Sequence, residues 1–123
     1  MWAPAFNQKD LMRYWATRKQ MKKWKREGFL YRRGKGKIIG IDYLKENKNK
    51  DYSSLVLQIG TPILIIHGKK DETVPMKFSR KIARENKNVE MIALTGADHN
   101  FEDYYIQKKL IGETINQIKK CLK

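Results

Sequence analysis

Two short stretches carry side chains capable of acid–base chemistry. "PILIIHGKKDETVP", residues 62–75, runs from an apolar segment into a charged loop that holds Asp71. "LTGADHNFED", residues 94–103, ends a second apolar segment with Asp98 and His99. Nucleophilic hydrolysis of an acyl bond uses a histidine to take the nucleophile's proton and a carboxylate to hold that histidine in the right tautomer. Asp71 and His99 are the candidate acid and base. Glu72 and Asp98 are the adjacent residues most easily mistaken for them. His67 is a weaker candidate, because a histidine closing a strand before glycine more often hydrogen-bonds loop backbone.

The elements around these loops decide whether the two side chains can meet. "PILIIHG" is β-branched and apolar without alternation, as in a strand covered on both faces of a parallel sheet. "VPMKFSRKIAREN" predicts a helix entered at Pro75, with Phe78, Ile82 and Ala83 facing inward. "VEMIAL" predicts a second strand. "FEDYYIQKKLIGETINQIKKCLK" predicts a closing helix with Tyr104 or Tyr105, Leu110, Ile111, Ile115 and Ile118 on its inner face. Strand, helix, strand, helix is an α/β arrangement, whose functional loops gather beyond the carboxyl ends of the strands. Adjacent parallel strands lie about 4.8 Å apart, so loops leaving two of them are within side-chain reach.

The first half of the chain has a different character. After "MWAPAFN", one helix is expected from Gln8 to a C-cap at Gly28, with the pairs Leu11/Trp15 and Met21/Trp24 on an imperfect stripe. "FLYRRGKGKIIGI" predicts a β-hairpin turning in "RRGKGK". Its "GKGK" has neither the spacing nor the strand–helix setting of a phosphate loop. "DYLKENKNKDYSSLVLQIG" predicts one or two short helices ending at Gly60.

Composition bounds the function classes. With 41% hydrophobic residues the 123-residue chain has enough apolar side chain for a packed core, despite 33% charged. No apolar run approaches the roughly 18 residues of a membrane span, and no secretory signal pattern opens the chain. A single cysteine, Cys121, excludes an internal disulfide and fits the cytoplasm. Two histidines and one remote cysteine offer no metal-ligand spacing, and no cofactor is implied. The net charge is +14, with 15 Lys+Arg against 5 Asp+Glu in residues 1–60. Such a surface could attract nucleic acid or an anionic membrane. The lysines are scattered, however, and form no arginine-rich or basic–aromatic ladder, which favours ordinary solvated positions.

"TPILIIHGKKDETVP" resembles the acid-bearing segment of α/β-hydrolases, where a buried strand leads into an HG-x-x-D-x-x-VP loop. "TGADHNF" resembles their histidine-bearing segment. The pattern is similar to monoacylglycerol-lipase-like and serine-aminopeptidase-like members and to general esterases. It covers residues 61–123, about half of the chain, and acid before base is the family's chain order. The resemblance implies that Asp71 is the triad acid and His99 the base. It also reads residues 1–7 as the turn after a core strand, 8–55 as a mostly helical cap with a β-hairpin, and 56–123 as the last two strands of the parallel sheet with their helices. Trp15, Trp24, Phe29 and Tyr31 would then border an acyl pocket for a small substrate.

No G-x-S-x-G nucleophile elbow is present. Ser53, Ser54 and Ser79 lack flanking glycines, and Cys121 sits among lysines in the last helical turn. In the family, the nucleophile and oxyanion hole precede the position of Met1. The expectation is therefore a truncated or split hydrolase half without activity alone. Its open sheet edge would pair with the N-terminal half of the hydrolase or with itself. The alternative is a basic, non-catalytic module that binds nucleic acid or anionic surfaces.

Overall fold

Residues 1–32 and 36–123 are described by a computed structural model. They divide into two units, Asn7–Tyr52, and Met1–Phe6 together with Ser53–Lys123.

The Asn7–Tyr52 unit begins with two helices where one was expected, α1 (Gln8–Trp15) and α2 (Arg18–Glu27). The break is chemical. Thr17 accepts from the Gln20 amide at 3.3 Å while the Gln20 side chain accepts from the Thr17 amide at 2.9 Å, a capping box that restarts the helix. Leu11/Trp15 and Met21/Trp24 therefore sit on two helices, which is why their joint stripe is imperfect. Gly28 closes α2 at φ 82°, the left-handed conformation that glycine adopts without Cβ strain. Strands β1 (Phe29–Arg32) and β2 (Lys37–Gly40) pair antiparallel from Phe29↔Gly40 to Arg32↔Lys37. The turn expected between them falls largely on Arg33, Gly34 and Lys35, outside the described residues. Helix α3 (Ile41–Asn47) follows, and Met12, Ala16, Trp24, Leu30 and Leu44 form this unit's core.

The second unit starts its C-terminal run with the short helix α4 (Ser53–Leu57) and then β3 (Ile63–Gly68), α5 (Met76–Glu85), β4 (Val89–Leu94) and α6 (Tyr104–Cys121). β3 and β4 are parallel, in register from Ile63↔Val89 to Gly68↔Leu94. On the other edge of β3, Met1–Ala3 forms a parallel bridge, with the Ala3 amide donating to the Ile66 carbonyl at 2.9 Å. β3 is thus flanked on both sides, and its alternate residues enter two cores. Ile63 and Ile65 pack with Phe6, Val56, Ile82 and Val89, while Ile66 packs with Ala3, Leu94, Ala97, Phe101 and Leu110. The absence of alternation in "PILII" has this cause.

Two helix faces differ from the expectation. On α5 the buried positions are Ser79 and Ile82, with Phe78 and Ala83 only partly covered. On α6 only Leu110 is buried and Ile106 is half-buried, whereas Ile111, Ile115 and Ile118 are exposed, as are Tyr104 and Tyr105. Ile106, Leu110 and Thr114 repeat every four residues and make the inward row; Thr114 accepts from Trp2 Nε1 at 3.1 Å. The 111/115/118 row is rotated by about 100° from it, one residue's turn of an α-helix. No helix among the described residues is long and apolar enough to cross a membrane.

Candidate functional site

The carboxyl ends of β3 and β4 lie side by side, and their exit loops are stitched together. The Lys69 amide donates to the Leu94 carbonyl at 3.0 Å and the Lys70 amide to the Ala97 carbonyl at 2.9 Å. Gly68 permits this approach. A Cβ there would meet the Ala97 carbonyl oxygen in hard overlap and the Asp98 carbonyl oxygen at 2.6 Å. Downstream, the buried ring of Phe101, at φ 56°, anchors the second loop in the core.

These loops bring Asp71 and His99 together: His99 Nδ1 lies 2.9 Å from Asp71 Oδ2. The Asp71 side chain has no accessible surface and that of His99 is 35% exposed. A carboxylate oxygen accepts, so Nδ1 carries the proton and the lone pair is on Nε2. The other carboxylate oxygen, Oδ1, accepts from the amides of Thr73 at 2.9 Å and Val74 at 2.8 Å. That local turn orients the acid before any long-range partner is added. Burial pushes the Asp71 carboxyl up, but hydrogen bonds from His67, the Val74 amide and His99 outweigh it and hold it down at about 2. The acid is ionised and saturated with donors, so a proton taken by His99 stays on the imidazole.

The neighbouring acids are used otherwise. Glu72 is exposed. Asp98 Oδ1 accepts from the Asn100 amide at 3.1 Å, which shapes the loop after His99. His67 does bond loop backbone, its Nε2 lying 2.8 Å from the Val74 carbonyl oxygen. It also does something sequence reasoning missed: Nε2 is 3.1 Å from Asp71 Oδ2, and Nδ1 is 2.8 Å from Ser79 Oγ. One available signal was parity, since His67 shares the α5-facing side of β3 with Ile63 and Ile65. The other was a serine three residues before Ile82 on the inner row of α5.

Ser79, His67 and Asp71 have the composition of a nucleophilic triad, but Ser79 and His67 are fully buried, so no substrate carbonyl can reach Ser79. Ser53 and Ser54 open α4, and Cys121 is exposed at the end of α6. Among the described residues no serine or cysteine lies within hydrogen-bond distance of His99. Nor do three or more His, Cys, Asp or Glu group there to hold a metal ion.

Of the aromatic candidates, Trp24 is fully buried in the core of its unit, where its Nε1 finds no hydrogen-bond partner among the described residues. Trp24, Phe29 and Tyr31 line one cavity of about 200 Å³. Trp15 does not; it meets Tyr43 at 5.9 Å between ring centroids and lies beneath the Arg32 guanidinium. A groove of about 570 Å³ between α5 and β4, lined by Lys77, Arg80, Arg84 and Met91 among others, does not include the Asp71–His99 pair.

The fold is that of known hydrolases. The chain superposes on Est1E from Butyrivibrio proteoclasticus with a TM-score of 0.70 and 19% identity, over 99% of this chain and 50% of that one. Alpha/beta hydrolase domain-containing protein 10 from mouse gives 0.77 and 22% identity, over 98% of this chain and 51% of that one. Est1E with ferulic acid bound gives 0.60 and 21% identity, over 78% and 38%. The chain spans about half the length of the first two structures. Identities this low establish the fold alone, part of an α/β-hydrolase, as "HGKKDETVP" and "TGADHNF" led one to expect. No curated protein matches the chain in sequence. The sequence model of the prolyl oligopeptidase family matches residues 10–123, a stretch that takes in both loops and nearly all of both units, and to that family the chain belongs.

Proposed function

We propose that this chain supplies the acid–base pair of a serine-type acyl hydrolase, with Asp71 as acid, His99 as base, and the attacking hydroxyl on a segment outside residues 1–123. The observation that carries this reading is the 2.9 Å contact between His99 Nδ1 and Asp71 Oδ2 at the carboxyl ends of two parallel strands. In the reaction, His99 Nε2 takes the proton of the attacking hydroxyl as its oxygen bonds to the acyl carbon. The imidazolium, stabilised by Asp71, then protonates the leaving group as its bond to that carbon breaks. Water repeats the sequence to release the acid.

The substrate class is a carboxylic acyl derivative, an ester or an amide. The partner in this reading is a segment with a strand–G-x-S-x-G–helix pattern, which would contribute both the hydroxyl and an oxyanion-binding amide. The chain alone is expected to be inactive.

The test is to sequence the DNA immediately before the Met1 codon, translate it in three frames, and co-express any such segment with this chain. Hydrolysis of a p-nitrophenyl ester by the pair, lost in His99→Ala and greatly reduced in Asp71→Asn, is the expected result. Absence of the pattern, or full activity in His99→Ala, overturns the reading.

A further inference from the structure

The carboxylate of Asp71 has a second histidine on it, and acid–base transfer through His99 leaves that histidine without a role. His67 lies beneath the acid, fully buried, on the side of β3 that faces α5. Both neighbours of its Nε2 are acceptors: the Val74 carbonyl oxygen at 2.8 Å and Asp71 Oδ2 at 3.1 Å. Nε2 must therefore carry a proton and share it between them. Nδ1 faces the Ser79 hydroxyl at 2.8 Å; with the proton on Nε2, Nδ1 accepts from that hydroxyl. Moving that proton to Nδ1 would leave the Nε2 lone pair aimed at two acceptors, so this network favours one tautomer of His67.

We propose that His67 and Ser79 are positioning residues for the Asp71–His99 pair, Ser79 orienting the His67 ring and His67 fixing the carboxylate oxygen that His99 bonds. This rests on the acid–base reading of Asp71 and His99. The two Asp71 oxygens are held differently. Oδ1 is tied to its own loop by the Thr73 and Val74 amides. Oδ2 receives both His67 Nε2–H and His99 Nδ1–H. A carboxylate tied only through Oδ1 keeps some torsional play about its Cβ–Cγ bond, within the reach of those two hydrogen bonds. The second anchor removes that freedom from within the protein, on the side away from His99. His67 touches neither substrate nor the reacting atoms; it acts through Asp71. The hydrogen bond from His67 is also among the influences that hold the Asp71 carboxyl low, together with the Val74 amide and His99.

The test needs no activity and uses the chain itself. The Asp71 carboxyl is titrated by carbon-detected NMR, and the His99 Nδ1 proton is followed by its low-field resonance. In His67→Phe the Asp71 titration is expected to move up from about 2 towards the ordinary value of 3.8, and the His99 resonance to broaden. His67→Gln, whose amide N–H can stand where Nε2–H does, is expected to restore both in large part. Ser79→Ala frees the ring without emptying the site and is expected to give an intermediate shift; it keeps the proposal testable if His67→Phe does not fold. An unmoved Asp71 titration in folded His67→Phe, or in Ser79→Ala where His67→Phe does not fold, overturns the proposal while the acid–base reading stands. The failure of that reading is seen separately, as full hydrolysis by His99→Ala in the co-expressed pair.

Discussion

His99 Nδ1 and Asp71 Oδ2 meet at 2.9 Å across 28 residues of sequence, and the contact is made by loops rather than by the strands that carry them. The strands bring the loops close, at a separation set by backbone pairing. Gly68, the Lys70–Ala97 hydrogen bond and the Phe101 anchor then close the remaining distance. Each of these can be tested separately.

The acid makes stability depend on pH. Because the folded carboxyl of Asp71 sits at about 2, below its ordinary 3.8, the unfolded chain binds the proton first as pH falls. Asp71 therefore contributes its full stabilisation above about pH 5 and loses it as pH falls through about 4 to 2. The contribution is on the order of 2 kcal/mol. Urea unfolding between pH 2 and pH 6 should show a steeper acid decline in the wild type than in Asp71→Asn. Parallel curves would contradict the assignment.

Gly68→Ala should separate the two loops. Its new Cβ has no room against the Ala97 and Asp98 carbonyls, and backbone there cannot move aside as a flexible side chain would. A cost of about 1–3 kcal/mol is expected, as in overpacked cores. The low-field His99 Nδ1 resonance should be lost with it. Retention of that resonance at wild-type position would show that the loops tolerate the displacement.

Phe101→Ala should destabilise by about 3–5 kcal/mol, since the ring is buried with Ile66, Leu94 and Leu110. Tyr105→Ala on the exposed side of α6 should stay within about 0.5 kcal/mol of wild type. The comparison of urea midpoints checks both. Equal effects would mean that Phe101 is not the anchor of the His99 loop.

The exposed row Ile111, Ile115 and Ile118 gives the chain an apolar helix face open to another surface. Light scattering of the isolated chain should show self-association that rises with concentration. Replacing the three isoleucines by glutamine should reduce it without loss of helicity. An equally associated triple variant would move the contact elsewhere, to the open edge of the sheet.

Much of this molecule follows from short-range chemistry written in the chain. An apolar run without alternation, "PILII", can satisfy itself only between two cores, and β3 lies between two. Asp71 followed by two backbone amides makes a turn whose shape depends on neighbouring residues, whereas Gly68 answers to the distant Ala97 and Asp98 carbonyls. The order of acid and histidine on successive strand exits was likewise readable, since parallel pairing brings such exits together. What depended on distant partners was not. The restart of the helix at Thr17 was a local signal, the T-x-x-Q box, passed over in favour of a longer stripe. The inner face of α6 could not be chosen by periodicity, because the rows 106/110/114 and 111/115/118 are both apolar enough to serve. The choice came from the packing of Leu110 against Ile66 and Phe101. The role of the second histidine was hinted at by its parity with Ile63 and Ile65 and by the serine on α5, but periodicity could not join the two. His67 takes its meaning from Ser79, 12 residues away on another element, and from an acid whose second oxygen only the folded sheet presents to it.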